Sequence, residues 1–101
     1  MSAVLFQVDF PYGGPWGAEM AGAFDGLARD IAAEDGLLWK IWTENRAGGR
    51  AGGVYLFRDA ASAERYRDKH VARLTGFGIT GIVAHVFAVN GPLSAVTRAP
   101  L

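Results

Sequence analysis

Hydrophobic positions alternate along the first stretch of the chain. Val4, Phe6, Val8 and Phe10 fall on one side, and Leu5, Gln7 and Asp9 fall on the other, which predicts a strand over residues 4–10. Pro11-Tyr12-Gly13-Gly14-Pro15 breaks it, and Pro15 suits the first turn of a helix, where its missing N–H costs nothing. The period then changes. Met20, Phe24, Leu27 and Ile31 recur at helical spacing until Asp35-Gly36 stops the helix. Residues 37–44 alternate again, with Leu37, Trp39, Ile41 and Thr43 opposite Leu38, Lys40, Trp42 and Glu44. Ala47-Gly48-Gly49-Arg50 reads as a hairpin turn into a third strand at 53–57, where Tyr55 and Phe57 lie opposite Val54 and Leu56. Asp59 is a good N-cap for a second helix whose inward stripe is Ala63, Tyr66, His70 and Leu74, and which ends at Gly76 and Gly78. A last strand is expected over 79–89, followed from Asn90 by an irregular tail carrying Pro92 and Pro100.

The resulting order, β-α-β-β-α-β, is the ferredoxin-like arrangement of an α+β domain, a single unit over residues 1–101. Right-handed crossovers place both helices on one face of an antiparallel sheet. Strand parity assigns Leu5, Gln7, Leu38, Trp42, Tyr55, Phe57, Val83 and Phe87 to the opposite face, with Lys40, Glu44 and His85 among them. So apolar a face calls for cover, and a second copy of the same sheet would supply it. The expected assembly is a homodimer.

Composition removes several classes of function. The 101 residues carry ten basic and ten acidic side chains, with no basic segment to track a phosphate backbone, so no nucleic acid partner is expected. No cysteine is present, which excludes disulfides, thiolate metal sites and cysteine nucleophiles. No apolar run reaches the roughly 18 residues of a membrane span, and residues 1–10 lack the charged start of a signal peptide, so no membrane partner and a cytoplasmic location are expected. The glycine-rich stretch 48–53 leads into a strand and lacks the Lys-Ser/Thr of a phosphate loop.

Three stretches carry a family likeness: Gly36-Leu37-Leu38-Trp39-Lys40-Ile41-Trp42-Thr43-Glu44, Ala51-Gly52-Gly53-Val54-Tyr55-Leu56-Phe57, and Lys69-His70-Val71-Ala72-Arg73-Leu74. With the tail Asn90-Gly91-Pro92-Leu93-Ser94 they resemble the YdhR-like mono-oxygenase family over nearly the whole chain. The resemblance implies a dimeric α+β barrel, in which two ferredoxin-like sheets enclose a cavity. It also implies kinship with the small mono-oxygenases of antibiotic biosynthesis and quinol oxidation, which oxidise phenols or quinols with O₂ and often need no metal or flavin. The expected activity is therefore a cofactor-independent mono-oxygenase acting on a small flat aromatic or quinol-like substrate. A non-catalytic barrel that holds an apolar ligand, or serves a stress response, is the alternative, because the same barrel houses both.

Oxygenation without a cofactor needs a base, a group to hold the resulting anion and an apolar cavity. The two imidazoles, His70 and His85, are the candidate bases, and Arg73, one turn beyond His70, is the candidate anion partner. Trp42, Tyr55 and Phe57 are the candidate substrate-binding residues. Trp39 stands beside them in the paired-tryptophan motif, and parity points it beneath the helices. Lys40 and Glu44 share the Trp42 face and read as a salt bridge. Two histidines on separate elements make no metal signature, so neither metal nor cofactor is expected.

Overall fold

The alternation of residues 4–10 becomes strand β1 (Val4–Pro11), with Val4, Phe6, Val8 and Phe10 all buried on one side. In the computed structural model, which describes residues 2–101, the chain continues through helices α1 (Gly17–Ala23) and α2 (Asp25–Ala32). The hairpin β2 (Leu37–Asn45) and β3 (Arg50–Phe57) follows, then α3 (Ala60–Gly76), β4 (Val83–Ala88) and α4 (Gly91–Val96). The sheet is antiparallel throughout, in the order β2-β3-β1-β4. Each helical crossover therefore skips over one strand, as the ferredoxin-like order requires.

Local chemistry accounts for the boundaries. Asp59 caps α3 by accepting a hydrogen bond from the Ser62 N–H at 2.8 Å. Gly36 adopts φ +85° at the turn into β2, a left-handed conformation that a side chain would resist, and a Cβ there would also strike Ser62. Gly52 pairs with Asp9, where an added Cβ would lie only 2.0 Å from the Val8 carbonyl oxygen. The first helical stretch is broken at Phe24, which closes α1 and opens α2. The tail is not wholly irregular: Asn90 accepts from the Leu93 N–H and starts α4, with Pro92 in its first turn.

Cross-strand register corrects the assignment of faces. Phe6 pairs with Tyr55 and Val86, Val4 with Phe57, Tyr55 with Lys40, and Gly53 with Trp42. Paired residues share a face. Lys40, Trp42, Tyr55 and Phe57 thus lie beneath the helices with the β1 core, not on the open face. The open face carries Leu5, Gln7, Val54, Leu56, Trp39, Ile41, Val83, His85 and Phe87, as the pairs Leu5–Leu56, Leu5–Phe87, Gln7–His85 and Trp39–Leu56 require. A bulge between Leu37 and Trp39 lets Leu37 join the helix face while Trp39 turns away from it. The expected place of Trp39 in the core is therefore overturned. Its indole is half-buried on the far side of the sheet and donates to the Pro100 carbonyl at 2.7 Å, so the C-terminal residues lie across this face.

The core is aromatic. Tyr55, Phe57, Phe6 and Tyr66 are fully buried, with ring centroids 5.0–6.1 Å apart. Phe57 is fill in this cluster, pressed between Tyr55 and Tyr66. Among the described residues no helix is long and apolar enough to cross a membrane.

Candidate functional site

Between the sheet and the helices lies a small cavity of about 70 Å³. Its walls are apolar residues such as Val8, Phe10, Met20, Leu27, Leu74 and Ile79, and its polar groups include Lys40, Tyr55 and His70. An outer groove of about 360 Å³ lies between α1, α2 and β2, walled by Met20, Phe24, Trp42 and Glu44. The two spaces share Met20, Phe24 and Trp42. The rings of Phe24 and Trp42 stand 6.4 Å apart and nearly parallel, which makes this pair the partition between groove and interior.

Lys40 is the charged group that the fold turns inward. Its Nζ lies 3.2 Å from the centroid of the Trp42 ring and 4.5 Å from that of Tyr55. The expected pairing with Glu44 does not form, because the Glu44 carboxylate accepts the Gly17 N–H at 2.9 Å and ties β2 to the start of α1. Among the described residues no carboxylate pairs with Lys40. Gly53 makes the space: a Cβ there would lie 2.6 Å from Lys40 Cε. Burial, and secondarily the nearby Arg73 guanidinium, pulls the Lys40 ammonium down to about 7. The π faces favour the cation, but two rings do not replace a hydration shell.

One stripe of α3 supplies the rest. Tyr66, His70 and Arg73 follow one another at helical spacing, and the His70 ring stacks on Tyr66 with centroids 5.1 Å apart. Arg73 donates to His70 Nδ1 from Nε at 3.3 Å and from Nη2 at 3.0 Å, to the Tyr66 hydroxyl at 3.4 Å, and to Asp30 at 3.0 Å. Tyr66 in turn donates to the Tyr55 hydroxyl at 3.2 Å. Arginine has only donors, so His70 Nδ1 must accept, and the neutral ring carries its proton on Nε2. Burial, then the charges of Lys40 and Arg73, lowers His70 to about 3. It is a neutral hydrogen-bond donor near pH 7, not the base its residue type suggests. Burial likewise raises the Tyr55 and Tyr66 phenols, so both stay protonated.

The structure therefore brings together Trp42, Tyr55, His70 and, behind His70, Arg73, and separates the other candidates from them. His85 is exposed on the open face, its ring 5.6 Å from Phe87, with the sheet between it and the cavity. Trp39 is also on that side, and Phe57 lies in the core without lining the cavity. Lys40 was missed as a site residue because a lysine on an edge strand reads as solvated. Its parity with Trp42, opposite Gly53 and Tyr55, was the available signal. Among the described residues no group of three or more His, Asp or Glu side chains is placed to hold a metal ion.

No curated protein matches the chain. A family model described as "Putative mono-oxygenase ydhR" matches residues 5–100, nearly the whole length, in agreement with the likeness read from the Trp39–Trp42 stretch and its companions. With that match over nearly its whole length, and with the four-stranded antiparallel sheet of an α+β fold, the chain belongs to this mono-oxygenase family.

Proposed function

We propose that the cavity oxidises a small flat phenol or quinol-like substrate with O₂, with Lys40 rather than a histidine as the base. The observation that carries this reading is an inward-facing lysine without an ion-pair partner among the described residues, in an apolar space that also holds two neutral donors. The substrate ring lies in the outer groove against Phe24 and Trp42, and its hydroxyl enters the interior. Neutral Lys40 takes the hydroxyl proton, and the ammonium it becomes stays beside the phenolate. The Tyr55 O–H and His70 Nε2–H hold the phenolate oxygen. Arg73 acts through His70 and Tyr66 as a positioning residue.

The anion passes one electron to O₂, and the resulting pair combines at the ring carbon para to the oxygen. Loss of water then leaves a carbonyl. A phenol with hydrogen at that carbon thus becomes a quinone: one oxygen atom enters the product, the other leaves as water with two substrate hydrogens, and no external reductant is needed. With the ring seated against Phe24 and Trp42, the phenolate oxygen lies on the inner, apolar side of that pair, away from water.

The same reading includes a homodimer formed through the open face. Ile41, Val83 and Phe87 are 56%, 42% and 46% exposed there. The chain presents 6075 Å² of surface, against roughly 5,500 Å² for a typical monomer of its mass. A lone protomer thus leaves more surface in water than its size warrants, with these apolar side chains among it.

Oxygen uptake with 1-naphthol, with quinone followed by absorbance, tests the proposal. Uptake should rise with pH through about 7 as Lys40 loses its proton, and Lys40→Met should lower it by roughly 10²–10⁴-fold. Full activity in Lys40→Met would overturn the assignment.

A further inference from the structure

The chain has two lysines, and the fold gives them opposite surroundings. Lys69, on α3, is held at the surface by the Glu34 carboxylate, 2.8 Å from its Nζ. Lys40 meets no acceptor among the described residues, only the faces of Trp42 and Tyr55. The charged and titratable groups around it come from three elements. Tyr55 faces it from β3, His70, Tyr66 and Arg73 belong to α3, and Asp30 of α2 is already engaged by Arg73. Glu44 on its own strand is engaged by Gly17. Nothing here ties up the nitrogen lone pair once the proton leaves, and burial places that loss near neutrality.

A neutral amine in an apolar cavity is a nucleophile as well as a base. The two donors of the cavity add a direction. Hydrogen bonds run from Arg73 to Tyr66 and from Tyr66 to Tyr55, so the Tyr55 O–H is left to donate onward, and His70 offers Nε2–H. Both suit an uncharged carbonyl oxygen as well as a phenolate. The geometry points to a second chemistry: Lys40 condenses with small aromatic aldehydes, forming an imine inside the cavity. The amine lone pair adds to the carbonyl carbon while the carbonyl π pair moves to oxygen. A proton passes from nitrogen to that oxygen, and loss of water then closes the C=N bond. No electron is gained or lost, so the step needs no oxidant. It shares the cavity of the mono-oxygenase reading but not its reaction.

The test is reductive trapping. The full chain is incubated with benzaldehyde and cyanoborohydride, and the labelled positions are read by peptide mass spectrometry. At pH 7 Lys40 should acquire the benzyl group at least ten times faster than Lys69, with a rate that climbs through about pH 7. Gly53→Ala, which pushes on Lys40 Cε, should slow Lys40 labelling and leave Lys69 unchanged. In urea the preference should vanish. Equal labelling of the two lysines in the folded protein, or a preference that persists in urea, overturns the inference, the second because it would place the reactivity in local sequence and not in the cavity. Oxygen uptake with 1-naphthol on the same preparation separates the two readings: selective labelling without uptake removes only the oxygenase chemistry, and uptake without selective labelling removes only the imine chemistry.

Discussion

The two faces of this sheet are built from the same strands and are almost equally apolar, yet they do different work. The helix face combines an aromatic core with a lysine, a phenol and an imidazole (Lys40, Tyr55 and His70) around a cavity. The open face spreads Ile41, Val83, His85 and Phe87 over a surface that only the C-terminal residues partly cover. Hydrophobicity alone therefore does not distinguish the buried face from the exposed one. The distinction lies in whether polar groups are satisfied. On the inner face no fully buried side-chain polar atom among the described residues lacks a hydrogen-bond partner, and Lys40 and His70, which border the cavity, are the groups that titrate there.

Truncation should expose the contrast most strongly. Phe57→Ala removes a fully buried ring and should cost ~3–5 kcal/mol, seen as a large drop in melting temperature. Phe87→Ala on the open face should change the melt of the protomer little and, on the proposed homodimer, shift the mass seen by light scattering toward the monomer. An equally large loss of stability in both would erase the difference between the faces.

Acid should act through the inner face. His70 in the folded state titrates at about 3, below its ordinary 6.5, so between those values the unfolded chain binds more protons and stability falls as pH falls. The loss should reach several kcal/mol by pH 3. Lys40 follows the same sign higher up: its folded value near 7 lies below 10.5, so stability rises with pH across that window. Urea midpoints from pH 3 to 10 check both slopes. Lys40→Met should flatten the alkaline one and, by removing a charge that holds His70 down, weaken the acid one only in part, because burial of His70 remains.

Smaller effects sharpen the picture. Trp39→Phe keeps the ring but removes the donor to Pro100, at a cost of about 0.5–1.5 kcal/mol, and should speed amide exchange in residues 98–101. Arg29→Ala breaks only the exposed pair with Asp25 on α2, 2.8 Å apart, and should move the melt by no more than about 0.5 kcal/mol. A Trp39→Phe effect as large as that of Phe57→Ala would return Trp39 to the core.

Periodicity along the chain determined a good deal. The two alternations, the change to helical spacing between them, the Asp59 cap and the Gly36 stop identify the elements and their order, because each is set by contacts within a few residues. The likeness carried by the Trp39–Trp42 stretch also identified the family. The faces were a different matter. Both sides of β3 are apolar, Val54 and Leu56 against Tyr55 and Phe57, so alternation there has no sign. Cross-strand pairing with Phe6 supplied it, and one bulge near Leu38 turned Trp39 away and Lys40 inward. A one-residue slip exchanges the faces of a strand, and register is set by pairing between segments distant in sequence. The roles of the titratable groups follow the same rule. Imidazole and ammonium are both pushed toward their neutral forms because burial and neighbouring charge, Arg73 above all for Lys40, act on them across the fold. Desolvation is a property of the packed environment, and no local spacing encodes it.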